Sequence, residues 1–548
     1  MTSPAPAGAS AALLSTDAPG GPAGAPDLDP RAYARAVRRV LVVFVAVGVA
    51  LRLARLLIPS PVWGDEAMLA MNLVTRDYAG LTRHLDYAQV APVLFLWAGH
   101  LAAVTLGTAE WAVRLLPFLA AVGGLVLFWD FARRAVPPTA AALAVGLLAV
   151  SVWPVSMAGT VKPYSADLFW SALLFALAVR WHRRPERLGP LAGLVLAVPL
   201  VLAGSYPAVF VAGAVSVYLL PVAWRAGRGA KSLFAAYNLA MFGAFATTYL
   251  FVGQAQIDPA AGRTGEYMRW YWRNGFPPDS AAQLPGWLLE AHTGRTFAYP
   301  IGDSHGVSAG TTVLVLLGAW WCWRNGSRPL LALCLVPFTL NLVAAVLGKY
   351  PYAGCCRLSQ HLAPSICLLA GTGWAAVMEW WAPQRARRLR LVLWAAAALV
   401  LFAVGTLVEK CLAPARDPVS HFSRNLHREL TTELKPGDRI AVFADPRTDI
   451  TTRWYLGRFG ERVAWLRPGD PLPEAERLWV VTTYYGTADR PAHTRFVRSQ
   501  PGWRAGDTAW YAVRPGNAWE GRAVWWHCGV TCLVRPGDPG PPQLNAVP

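Results

Sequence analysis

The sequence predicts an all-helical bundle that crosses a membrane many times, followed by a small soluble α/β domain. Three observations predict it. Of the 548 residues, 55% are hydrophobic and only 15% are charged, where a soluble chain would carry about a quarter charged residues. Apolar runs of roughly 17–22 residues, the length a spanning helix needs, recur between short Arg-rich loops. From about Cys411 onward the pattern changes to one helical stretch and several β-rich runs.

The first segment, Met1 to Asp29, is rich in Ala, Pro, Gly and Ser and has too few large apolar side chains to fold. It lacks the short apolar run and cleavage site of a signal peptide. It is expected to be a disordered cytoplasmic tail, giving a first unit over 1–30. The net charge of +18 does not point to nucleic acid, because the basic residues lie mainly in loops between apolar runs. That arrangement signals topology.

Eleven spans are expected: Val40–Ile58, Ala112–Phe131, Thr139–Val155, Ala166–Val179, Leu188–Ala203, Tyr206–Ala223, Ser232–Val252, Ala309–Cys322, Pro329–Leu347, Leu362–Glu379 and Leu391–Val408. A twelfth run, Val90–Leu106, decides the topology. If it spans, Arg133/Arg134 and every later basic loop are inverted. If it lies in the interface, Arg31/Arg35/Arg38/Arg39, Arg133/Arg134, Arg183/Arg184/Arg187, Arg225/Arg228/Lys231, Arg324/Arg328 and Arg385/Arg387/Arg388/Arg390 share one side. The positive-inside rule selects the second arrangement, so Val90–Leu106 is expected to be a juxtamembrane or re-entrant helix. The membrane unit then covers 31–410. Its outer face carries a loop over 59–111 with an acidic motif, the turn Gly159–Tyr164, a loop over 254–308, and Gly348–Arg357. The soluble unit, 411–548, has a helical pattern over Pro418–Leu434 and β runs at Arg439–Ala444, Val463–Leu466, Leu478–Tyr485 and Ala523–His527.

Residues able to do chemistry cluster on that outer face. In VWGDEAMLAMN, Asp65 and Glu66 follow directly on the first span. They would cap a helix beginning near Ala67, and either could serve as a general base for an acceptor hydroxyl. In TVKPYSAD, Lys162 is a snorkelling anchor or a point charge for a phosphate, and Asp167 a salt-bridge partner or cap. In KYPYAGCCRLSQHLAPS, Arg357 and His361 are four apart and would share a helix face. Arg357 offers a planar fork to a phosphate or snorkels, and His361 is a buried packing residue or a catalyst. Arg52 and Arg55 near the outer end of the first span would meet an anionic lipid headgroup. Arg114 would pair with Glu110, four residues earlier. In GRTGEYMRWYWRNGFPPD, Tyr267, Trp270, Tyr271 and Trp272 beside Arg263, Glu266 and Arg269 suit stacking on a sugar ring or an interfacial aromatic belt. Cys528 with Cys532, and the adjacent Cys355 and Cys356, are candidate disulfides. No phosphate-cradling GxxxxGK[ST], dinucleotide GxGxxG or zinc-binding HExxH motif is present. An outer-face transferase would therefore need an activated donor that the membrane itself delivers.

The ordered blocks WGDEA, YAQVAPVLFLW, GTAEWAVRLLPFL, VKPYSADLFW and YPYAGCCRLSQHLAPSICLLAG resemble the GT-C superfamily of membrane glycosyltransferases. More narrowly they are similar to the bacterial family 39 or protein-mannosyltransferase-like enzymes, whose members modify proteins, lipid A or lipopolysaccharide core. The resemblance spans roughly Val40 to Gly371, with a weaker echo in LKPGDRIAVF. It implies a GT-C fold and inverting transfer from a polyprenyl-phosphate sugar, on the periplasmic face of the bacterial inner membrane, to a glycan, lipid or protein hydroxyl. By its acidic motif Asp65 would be the base, with Glu66 beside it. Lys162 corresponds to the family's basic residue before Pro-Tyr, and Arg357 to its Arg after Tyr-Pro, with Cys355–Cys356 as an unfamiliar departure. The candidate binding set is Lys162, Tyr164, Arg357, His361, Arg52, Arg55, Gln89, Tyr267 and Trp270. The family is divided on divalent metal, and no metal ligand or other cofactor is assigned. A transporter or lipid flippase is the alternative from another class. It would need charges or broken helices near the bilayer midplane, and the run Leu188–Ala203 is expected to have neither. An acyl- or phosphotransferase would need a nucleophile and base, for which His361 is the one candidate.

Overall fold

The computed structural model describes residues 27–257, 263–302, 306–352, 354–412, 418–443, 449–467, 469–485, 490–513 and 526–537. The expected N-terminal tail falls outside them up to residue 26.

Helix α1 (Pro30–Leu57) starts on an Asp29 side-chain cap with Pro30 in the first turn, the position where a missing N–H costs nothing. The acidic segment folds into α2 (Gly64–Thr75), and Pro92 ends the following loop ahead of α3 (Val93–Leu106). At about 21 Å, α3 falls short of a hydrocarbon core of about 30 Å. Next come α4 (Glu110–Ala135), α5 (Pro138–Val150), α6 (Val152–Met157), α7 (Tyr164–Arg183), α8 (Gly189–Gly204) and α9 (Ala208–Arg225). The expected span Thr139–Val155 is broken, because Ser151 is extended between α5 and α6.

Helix α10 (Arg228–Thr248) widens into a π turn at Tyr249–Gly253 before α11 (Gln254–Ile257). The long loop that follows holds α12 (Thr264–Tyr271) and α13 (Leu284–Glu290). Helices α14 (Ala309–Arg324), α15 (Arg328–Val346), α16 (Ala363–Trp381) and α17 (Arg385–Leu412) complete the bundle. Helix covers most of each of the eleven expected runs, Thr139–Val155 in two pieces. Seven described helical segments are long and apolar enough to cross a membrane.

Two ends of the bundle are chemically distinct. At one, Asp130 collects Arg133, Arg134 and Arg180, Tyr33 bonds Thr139 at 2.8 Å, and Asp27 pairs with Arg385 at 3.2 Å. These contacts gather the basic loops after α4 and α7 and before α17. The other end carries the acidic segment. Helices α14 and α16 cross with backbones almost touching, since a Cβ on Gly318 or Gly373 would strike the carbonyl of Leu369 or Leu314. Small residues at a crossing allow such approach.

Beyond α17 lie α18 (Pro418–Glu433), β1 (Arg439–Phe443), α19 (Ile450–Leu456), β2 (Val463–Trp465), β3 (Arg477–Tyr485), α20 (Arg490–Arg498), β4 (Arg504–Val513) and β5 (Trp526–Val534). The mixed sheet has order β2-β1-β3-β5-β4. Strands β1 and β2 are parallel, joined through α19, with Ile440 opposite Val463. Strand β5 runs antiparallel to both β3 and β4. β4 was not expected. The expected run Ala523–His527 begins outside the described residues, and the strand continues to Val534. Cys528 and Cys532 stand four apart on the same strand, about 13 Å, too far to pair with each other. A separate apolar cluster joins the domain to the bundle, with Ile450, Trp454 and Tyr455 packing among residues of α2 and α3.

Gly373→Val should lower stability by about 1–3 kcal/mol by prising α14 from α16. An unchanged thermal midpoint in detergent would refute the close crossing.

Candidate active site

The two neighbouring acids take opposite directions. Successive helical residues point about 100° apart, so burying one presents the other to open space. Glu66, in the first turn of α2, is fully buried against Arg114 of α4. Arg114 Nε donates to Glu66 Oε1 at 3.0 Å and Nη2 to Oε2 at 2.7 Å. The remaining guanidinium donors reach Ser60 O at 2.7 Å and Pro61 O at 2.9 Å. Glu66 Oε1 also accepts from Val161 N at 2.9 Å. Glu66 is thus turned away from the cavity that Asp65 faces. The expected pairing of Arg114 with Glu110 gives way to this one, because Glu110 accepts instead from Tyr455 of the C-terminal domain at 2.6 Å. Nor does Asp65 cap the helix: Trp63 holds that position, and the helix starts at Gly64.

Asp65 is met by two cations. Its Oδ1 lies 2.8 Å from Lys162 Nζ and its Oδ2 3.1 Å from Arg357 Nη1. Lys162 precedes Pro163, which disfavours helical backbone at the lysine, so it stands clear of α7. Its Nζ also donates to Gln89 Oε1 at 2.5 Å, and Gln89 is oriented by donating to Tyr87 O at 3.0 Å. Arg357 sits in the 3₁₀ turn Cys356–Leu362 that feeds α16. Its guanidinium lies 5.0 Å from the Trp272 ring centre and 6.0 Å from that of Tyr164, within cation–π range. Its Nη2 is 3.4 Å from Tyr271 Oη. Its Nε is buried with no acceptor among the described residues.

Burial pushes the Asp65 carboxyl up, but Lys162 and Arg357 together outweigh it and hold the group below the usual carboxylate range. The charged form therefore stabilises the fold at neutral pH, and that contribution is lost only as pH falls through the depressed value.

The trio opens into a cavity of about 1980 Å³. Near Asp65 the wall is polar, with Ser60, Gln89, Tyr164, Tyr267 and Tyr271. Most of the lining is apolar, including Phe210 and Val217 of α9, Phe242 of α10, and Leu340 and Val343 of α15, with Ser216 and Asn238 among them. A second apolar wall is formed by Leu51 of α1, Trp153 of α6 and Leu407 of α17. Asp167 also lies on the wall, where it accepts a 2.6 Å hydrogen bond from Ser205.

The other expected residues divide. Arg55 lines the cavity and donates to Ser60 Oγ at 3.1 Å. Arg52 is fully buried and does not face a headgroup. It donates to the carbonyls of Gly48, Ala149 and Leu148 at 2.9, 3.1 and 3.3 Å, thereby satisfying the negative end of α5. His361 does not share a face with Arg357, because the turn is 3₁₀ and kinked at Ser359. Its Nε2 lies 3.1 Å from Asn341 Oδ1, and its ring packs on Phe210 and Tyr350, so it takes the buried packing role. Tyr267 faces the cavity, while Trp270 is 46% exposed and packs on Tyr267 from outside. Tyr271 and Trp272 belong to the same aromatic segment, but nothing in their spacing singled them out as partners of Arg357. For Tyr455 there was no local signal at all.

No family model matches the sequence, and no curated protein matches it significantly. Among solved structures the chain is similar to ArnT from Cupriavidus metallidurans in the apo state, at 13% identity and TM-score 0.52, over 89% of this chain and 97% of that one. The same protein bound to undecaprenyl phosphate matches over the same shares at 13% identity and TM-score 0.50. The chain shares its fold with ArnT. At this identity the likeness is one of fold alone. The Archaeoglobus fulgidus oligosaccharyltransferase matches more weakly, with 13% identity and TM-score 0.43 over 76% of this chain and 63% of that one.

Removing one partner of the buried pair leaves a charge stranded. Arg114→Leu should cost about 3–5 kcal/mol, read as a lost folded fraction on size exclusion. A monodisperse, normally stable Arg114→Leu protein would contradict the clamp.

Proposed function

We propose that the protein is an integral-membrane glycosyltransferase of the GT-C, family 39-like kind. It would move a sugar from a polyprenyl-phosphate donor to a hydroxyl acceptor. The observation that carries this reading is one carboxylate held between two cations on the wall of a large, mostly apolar cavity. A lipid-linked phosphate needs that combination: cations for the phosphate and an apolar wall for the chain.

In this reading the acceptor oxygen attacks the anomeric carbon and Asp65 takes its proton. The bond from carbon to phosphate oxygen breaks on the opposite face, inverting the centre. The electron pair leaves with the carrier phosphate, and Lys162 and Arg357 stabilise that charge. The unused Arg357 Nε adds donor capacity beside it. The same cations hold Asp65 in its charged, poorly basic form. A phosphate arriving between them draws them off the carboxylate, which then gains proton affinity. Donor binding thus precedes and enables base action.

A divalent ion does not fit this donor set. Beside Asp65 stand an ammonium, a guanidinium and, bonded to that ammonium, the amide of Gln89. Glu66 takes a positioning role in place of the shared catalytic one. The reading further places eleven helices across the bacterial inner membrane, adding α5–α6, α7, α8 and α14 to the seven long apolar segments. The arginine-rich end would be cytoplasmic. The Asp65 end, with the 411–548 domain, would be extracytoplasmic.

Asp65→Asn should lower transfer from the lipid-linked sugars of native membranes by about 10²-fold or more, while undecaprenyl phosphate still binds. Undiminished transfer, followed by mass analysis of the product, would refute the assigned base. Arg357→Ala should weaken undecaprenyl phosphate binding about tenfold, a loss of roughly 1.4 kcal/mol. Equal affinity in titration calorimetry would remove Arg357 from the phosphate seat.

A further inference from the structure

Tyr455 belongs to the C-terminal domain, yet its hydroxyl serves the segment that carries Asp65. The side chain is fully buried. The hydroxyl accepts from Val62 N at 2.8 Å and donates to Glu110 Oε1 at 2.6 Å. Val62 lies three residues before Asp65. Two neighbours hold the same corner: Arg458 Nη2 donates to Thr108 O at 2.7 Å, and Arg424 Nη1 lies 3.6 Å from Glu110 Oε2. From the bundle side Arg114 already holds Ser60 O and Pro61 O. The acidic turn is therefore gripped from two domains, residue by residue. Ile450 and Thr451, at the start of α19, form part of the cavity wall, so the domain borders the site directly.

We propose that Tyr455 is a positioning residue for Asp65, acting through Val62, and that the C-terminal domain is part of the catalytic framework. This deepens the glycosyltransferase reading and rests on it. Tyr455→Phe removes one oxygen, orphans Val62 N–H and Glu110 Oε1, and keeps the ring in its packing. A misplacement of about 1 Å at a reacting group costs about 10²-fold in rate, so loosening the turn reaches the chemistry without touching the phosphate seat.

Two measurements on the full-length protein in nanodiscs test this. The first needs no turnover. Asp65→Cys is labelled with a negatively charged thiol reagent, with and without Tyr455→Phe, and modification at position 65 is read by peptide mass. Ser216→Cys, on the α9 wall of the same cavity, is the control. The rate at 65 should change by about threefold or more while the rate at 216 stays constant. Equal rates at 65, or parallel changes at both positions, overturn the proposal. The second compares kinetic constants. Tyr455→Phe alone should lower kcat by about tenfold or more, with donor KM and undecaprenyl phosphate affinity within about twofold. An unchanged kcat, or joint loss of kcat and affinity, overturns it. If wild-type protein transfers no sugar, the functional reading fails, and the labelling rates still decide whether Tyr455 positions residue 65.

Discussion

Burying Arg114 is the constraint from which the site follows. Removing a guanidinium from water costs several kcal/mol unless its partners are close and complete, and here Glu66, Ser60 and Pro61 take up its donors. Glu66 in turn accepts the backbone N–H of Val161. One ion pair thereby fixes two sequence neighbours of the chemistry. Glu66 is adjacent to Asp65, and Val161 is adjacent to Lys162. With Glu66 directed inward, the helical period leaves Asp65 directed into the cavity, beside the lysine that the same clamp has placed.

Charge balance at the mouth of the cavity has a mechanistic consequence. Two cations face one carboxylate, so the trio carries a net positive charge that an anionic headgroup can neutralise. A lone carboxylate near an apolar wall would take up a proton. The cations keep Asp65 charged until something else claims them. Arg357 also lies within cation–π range of Trp272 and Tyr164, which limits the positions open to its guanidinium.

The contrast between the two ends of the bundle shows the same electrostatics in a structural role. Asp130 also sits among several arginines. It does not line the cavity, however, and its neighbours knit loops together. What distinguishes the Asp65 cluster is the large void beside it and the apolar walls leading away.

Much of this was legible from residue order alone. Apolar runs and the asymmetry of arginines located the helices, since both are local properties that solvent and lipid impose directly. The length of α3 follows from Pro92 and Gly107 flanking its apolar run. Charged residues in WGDEA, VKPY and CCRLSQH marked the segments that supply Asp65, Lys162 and Arg357. Local spacing failed wherever the partner is remote. Glu110, four residues from Arg114, looked like its partner until tertiary packing brought Glu66 closer. A helical face shared by Arg357 and His361 dissolved in a kinked 3₁₀ turn. Sequence by itself determined where the long apolar helical runs lie and which side chains would be costly to bury. Only the tertiary structure decided which of those costly groups neutralise one another, because ion pairing is set by distance in space, and residues such as Tyr455 and Val62 become neighbours only after the chain has folded.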